Sequence, residues 1–110
     1  MNGAGLDRTL AALAVPCRRR VVELLRERPR RAGELAAATH TSFPTMSRHL
    51  RVLRGSGLVD EARDEFDSRV RVYSLRPAPM AELKAWLEQI ENMWAGQLGA
   101  FRAHVRKTRP

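Results

Sequence analysis

The chain has 110 residues, a single cysteine, and 20 Lys and Arg against 12 Asp and Glu, a formal net charge of +8. That length fits one domain with a modest core, for which pairing with a second copy adds stability. One cysteine excludes an internal disulfide, no run approaches the roughly 18 apolar residues of a membrane span, and the opening MNGAGLDRTL lacks the basic-then-apolar pattern of a signal peptide.

Leu6, Leu10 and Leu13 stand at helical spacing in LDRTLAALA and predict a short amphipathic helix over residues 6–14. Pro16 suits the first turn of a second helix, CRRRVVELLRER, with Val21, Leu24 and Leu25 as its inner stripe and arginine on its polar face. Pro29 ends that helix, Arg30 to Ala32 lead into a third, GELAAAT, and Thr39, His40 and Thr41 form the turn before the next. Ser42 can cap a helix over residues 43–55, with Pro44 in its first turn where a missing N–H costs nothing. Met46, Leu50 and Leu53, spaced by four and three, mark its buried side, and Thr45, Ser47, Arg48, His49 and Arg51 occupy the other faces. Gly55 and Gly57 then close the helix.

Leu58 to Arg63 and Val70 to Leu75 alternate with a period of two, two strands joined by a DEFDS tip. Pro77 and Pro79 are expected to block the strand and start the last helix, from about Met80 to Val105. Leu83, Leu87, Ile90, Trp94, Leu98, Phe101 and Val105 recur along it at steps of three and four, a near-heptad stripe. Its apolar face exceeds what a domain this small covers, and a second copy is the simplest cover.

The charge is unevenly placed. Residues 16–54 hold ten arginines against Glu23, Glu27 and Glu34, a net of +7, whereas residues 55–75 hold Arg63, Arg69 and Arg71 against five carboxylates, a net of −2. A basic surface centred on the fourth helix, whose side chains are hydroxyls, an imidazole and guanidiniums, fits double-stranded DNA as partner. A non-specific or architectural nucleic-acid binder is the alternative, since net charge alone would suffice for it. No acid pair, nucleophile with base or phosphate loop is present, so neither an enzyme nor a cofactor is expected.

Four helices, a two-stranded β-wing and a long last helix (α-α-α-α-β-β-α) make a mainly α, winged helix-turn-helix fold. Three stretches carry a closer likeness: LAALAVPCRRRVVELL at 10–25, GELAAATHTSFPTMSRHLRVLRGSGLV at 33–59 and RVRVYSL at 69–75. On these the chain resembles the ArsR/SmtB-type bacterial transcriptional repressors, and its last helix resembles their non-metal-sensing branch. The resemblance implies a bacterial cytoplasmic, nucleoid-associated homodimer of one domain over residues 1–110. Residues 16–75 would form the DNA-binding core, and helices at 6–14 and 79–105 the dimer interface, through Leu6, Leu10, Leu83, Leu87, Ile90, Trp94, Leu98 and Phe101. Each helix at 43–55 would enter a major groove of a two-fold operator. By position Ser42, Thr45, Ser47, Arg48 and His49 are the candidates for bases and nearby phosphates, Arg51 and Arg54 for the backbone, and Arg69 or Arg71 for any wing contact.

Two departures bear on the signal. Thiolate sensors of the family carry a cysteine pair where this chain reads GELAAA, and Glu88, Glu91 and His104 do not make the ligand set of the last-helix zinc sensors, so no metal site is expected. The effector is left unnamed. Cys17, in the first turn of the second helix beside Arg18 to Arg20, is a candidate redox thiol, with a small buried filler as the plainer reading.

Overall fold

A computed structural model of the chain describes residues 3–108, so the two residues at each end of the expected domain lie outside it. The order is α1 (Gly3–Leu13), α2 (Pro16–Glu27), β1 (Arg30–Arg31), α3 (Ala32–Ala38), α4 (Phe43–Gly55), β2 (Val59–Arg63), β3 (Arg71–Leu75) and α5 (Pro77–Thr108). The sheet has three strands rather than the two expected, in the order β1-β3-β2 and antiparallel throughout. Pro29 supplies the reason: it pushes the preceding Arg28 into the extended region (φ −169°, ψ 162°), which lays Arg30 and Arg31 beside Tyr73 and Val72 of β3.

The core lies where α2, α3 and α4 meet the sheet. Val21, Leu24, Leu25, Leu35, Met46, Leu50, Leu53, Leu58 and Tyr73 are all buried in it, including every apolar position of α4 that the four-and-three spacing assigns inward. Both helices of the helix-turn-helix stop in the same way. After α3, His40 adopts a left-handed conformation (φ 53°), so that its N–H reaches the carbonyl of Ala37 and the N–H of Thr41 that of Ala36. After α4, Gly57 (φ 79°) does the same with Arg54, and Leu58 with Leu53. These are Schellman caps, and the second is sealed by contact of two fully buried leucines, Leu53 and Leu58. They fix where α4 begins and where the wing leaves it.

The inner stripe of α1 differs from the expected leucines. Leu6, Thr9 and Ala12 are buried, whereas Leu10 is 39% exposed. Thr9 can turn inward because its hydroxyl donates to the carbonyl of Gly5 in its own helix, 3.1 Å away, leaving no unpaired polar group. Leu6 is thus covered by its own protomer. Arg19 joins α1 to α2: its Nη1 donates to the carbonyls of Leu13 (2.7 Å) and Ala14 (3.2 Å), a cation on the negative end of a helix.

Helix α5 starts three residues earlier than expected. Pro77 and Pro79 lie in its first turn, where proline's fixed φ is already helical and its absent N–H has no partner to lose. With 32 residues it is a rod of roughly 48 Å at 1.5 Å per residue. It gives the molecule principal extents of 74 × 28 × 22 Å. Contact with α1 covers part of this rod, yet Leu87 (46%), Ile90 (44%), Met93 (64%), Trp94 (61%) and Phe101 (65%) stay exposed. Leu83 and Leu98 are half-buried.

Candidate nucleic-acid interface

Ser42 accepts the backbone N–H of Thr45 at its Oγ (3.3 Å) and donates its own proton to the Thr45 hydroxyl (2.9 Å), so the first turn of α4 is pinned from its cap. Met46, Leu50 and Leu53, each 1% exposed or less, hold the inner side. At 100° per residue the opposite side carries Pro44, Arg48, Arg51 and Gly55. Ser47 and Arg54 flank that face towards the wing, while Thr45 and His49 flank it towards α2. The nine candidate contacts therefore do not form one cluster. Arg48 and Arg51 stand at the centre of an exposed face, Thr45, Ser47, His49 and Arg54 occupy its two borders, Ser42 caps the helix, and Arg69 and Arg71 belong to the wing.

Pairing separates the arginines further. In the basic half, Arg20, Arg28, Arg30, Arg31 and Arg54 form ion pairs with Glu23, Glu34, Glu27, Asp64 and Glu61. Arg18 donates from Nε to Nδ1 of His49 (3.3 Å), and Arg19 caps α1. Arg48 and Arg51 form no ion pair among the described residues, so their donors are free for phosphate or base edges.

Glu61 of β2, which no local sequence pattern marks, joins the reading helix to the wing. Its carboxylate, 20% exposed, meets Arg54 Nη1 (2.8 Å) at the end of α4 and Arg71 Nε (3.0 Å) on β3, and accepts the hydroxyl proton of Tyr73 (3.2 Å). Burial, then this carboxylate, push the Tyr73 phenol up, keeping it a proton donor. One acid thus braces the wing against the reading helix and occupies two of the guanidiniums proposed for DNA. A signal was available in the register, because Glu61 lies opposite Tyr73 in the β2–β3 ladder, but pairing across a hairpin needs the strand ends to be known.

The wing is less acidic than its composition implies. Asp64 is held by Arg31 (2.9 Å), and Asp67 by Arg69 (3.2 Å), whose hydrogen bonds lower the Asp67 carboxyl. Glu65 and Arg63 form no ion pair among the described residues, and Phe66 at the tip is 90% exposed. The Arg69 pair is itself open to water, with side chains 89% and 38% exposed, and such pairs are worth about 0–1 kcal/mol. A phosphate can compete for that arginine, whereas Arg71 is held by the less exposed Glu61. Between the first turn of α3, α4 and the wing lies a cleft of about 390 Å³ lined by Gly33, Phe43, Ser47, Val70, Arg71 and Tyr73.

His49 is half-buried, and burial first, then the charges of Arg18 and Arg48, lower its imidazole below the ordinary 6.5. A neutral ring is what an acceptor at Nδ1 requires. Because the folded chain resists the proton, the unfolded chain takes it first. The contribution of this site to stability is complete above pH 6.5 and falls as the pH drops from there towards the folded value. An NMR titration of the His49 Cε1–H is expected to show a midpoint below 6.5, moving upward in Arg18→Gln but not fully, since burial remains. An unmoved midpoint would remove Arg18 from the account.

Cys17 Sγ lies 3.6 Å from the Thr41 hydroxyl, half-buried between α2 and the turn. Among the described residues, no three His, Cys, Asp or Glu side chains gather as a metal-ligand group, and no helix is long and apolar enough to cross a membrane.

Residues 16–61, which span α2 to the middle of β2, match the arsR family of bacterial regulatory proteins. The HTH-type transcriptional regulator Rv2034 of Mycobacterium tuberculosis is 40% identical over 95 residues, covering 86% of this chain and 83% of that protein. The HTH-type transcriptional repressor SmtB of the same species is 43% identical over 54 residues, 49% of this chain and 40% of that one. A crystal structure of the ArsR family transcriptional regulator RHA00566 superimposes with a TM-score of 0.77 at 27% identity, covering 86% of this chain and 95% of the other. With the family match lying on the helix-turn-helix and a relative 40% identical over most of both chains, the chain belongs to the arsR family of bacterial regulatory proteins and is a DNA-binding transcriptional regulator.

Proposed function

We propose that the protein is a homodimeric, cytoplasmic repressor that binds a two-fold operator. Residues 16–75 act as the reading core, with α4 in the major groove, and α1 and α5 as the dimer helices. The observation that carries the reading is the state of Arg48 and Arg51, two unpaired guanidiniums on the outward side of a helix whose inward side is fully packed. The apolar face of α5 supports the dimer, since monomers rarely leave so much apolar surface in water. Repression is supported by the likeness to the mycobacterial SmtB, named a repressor. No catalytic role is part of this reading.

Arg48 is the decisive side chain. On the operator, identified as the DNA protected in the promoter of this chain's own gene, Arg48→Ala is expected to cost about 1–3 kcal/mol of binding, and on random DNA of the same length much less. Equal losses on both would favour the architectural, non-specific binder.

A further inference from the structure

We infer that Phe43 reads a base: its ring packs on the 5-methyl group of one thymine in each operator half-site. The inference rests on the placement of α4 in the major groove proposed above. Phe43 is the first residue of α4, immediately after the Ser42 cap, and is 59% exposed. It belongs neither to the hydrophobic core nor to the partly buried side chains packed against it. A ring of this size left in water forgoes the gain of apolar burial, so an apolar surface brought to it by a partner is favoured.

What that partner offers follows from the surroundings. Phe43 borders the cleft between α4 and the wing together with the half-buried Ser47, one helical turn on. The unpaired Arg48 and Arg51 share its helix, which contains no acidic residue. Phe66 is more exposed, but it stands between Glu65 and Asp67, carboxylates that phosphates repel. Phe43 thus joins an apolar ring to a cationic helix. Side chains of the first turn of a reading helix are the ones that meet base edges. On the floor of the major groove the apolar group is the thymine methyl, which no other standard base carries.

The test uses the full-length protein and a library of random duplexes, from which bound sequences are selected for the wild type and for Phe43→Ala. The wild type is expected to select a fixed thymine in each half-site, and Phe43→Ala to lose that one preference while keeping the others. Replacing this thymine by deoxyuridine, which removes the methyl alone, is expected to weaken wild-type binding about fourfold in one half-site and roughly fifteenfold in both, and to leave Phe43→Ala unchanged. An unaltered melting temperature for Phe43→Ala shows that the exposed ring has no structural duty, and Phe43→Leu, still apolar, is expected to retain part of the preference. If wild type and variant select the same bases at every position, or deoxyuridine is tolerated at all of them, the inference fails while operator reading stands. If the wild type selects no sequence at all, both fail.

Discussion

Replacing Ile90 and Trp94 together by lysine is expected to leave a folded monomer that no longer holds its operator. Both side chains are exposed on α5 in the single chain, beside Leu87, Met93 and Phe101, so the protomer core does not depend on them. In the dimer each contributes about 1.5–3 kcal/mol of burial, and a lysine in its place would be desolvated without a counter-ion. Operator affinity falls further than dimer stability alone suggests, because two linked reading helices engage two half-sites as a single event. Losing that linkage costs on the order of 100-fold or more. Sedimentation equilibrium is expected to show the mass halved at micromolar protein with an unchanged helical circular dichroism spectrum, and gel shifts to show the loss. A doubly substituted protein that stays dimeric would mean that α5 is not the interface.

Removing Glu61 is the second large effect, and it acts on stability and DNA binding in opposite directions. Glu61→Ala breaks contacts to Arg54, Arg71 and Tyr73 at once, leaving the buried Tyr73 and two guanidiniums without their acceptor. A loss of about 2–3 kcal/mol is expected, read as a lower urea midpoint at an unchanged slope. The released guanidiniums become available to phosphates, so affinity for random DNA is expected to rise and its salt dependence to steepen by about one to two counter-ions. Glu61→Gln, which can still accept from Tyr73 and an arginine, is expected to lose less stability. An unchanged urea midpoint in the alanine variant would show that the brace is ornamental.

The reading helix was legible because all its determinants are local. Ser42, Pro44, the Met46–Leu50–Leu53 spacing and Gly57 are short-range signals, and α4 has the expected bounds of residues 43–55. The two-residue β1 was not legible, since nothing but its pairing to β3 makes Arg30 and Arg31 a strand. The inward turn of Thr9 was hidden for a related reason: periodicity ranks residues by apolarity and misses a hydroxyl satisfied within its own turn. Pro77 and Pro79 mark the start of α5 in the sequence, but the helix takes both prolines into its first turn rather than beginning after them, because proline is permissive there. The arginines show the limit most clearly. Composition located the positive charge, but which guanidiniums are spoken for depends on acids as distant in sequence as Asp64 is from Arg31.

The two sides of α4 also bear on how such a regulator can change. Met46, Leu50 and Leu53 hold the helix in the core, while Arg48 and Arg51 on the outward side form no ion pair among the described residues. Fold and vocabulary are therefore stored in separate residues of the same 13-residue segment. Outward positions are free to drift or be exchanged between paralogues without unfolding the protein, so a duplicated copy could acquire a new address in the genome by a few surface substitutions.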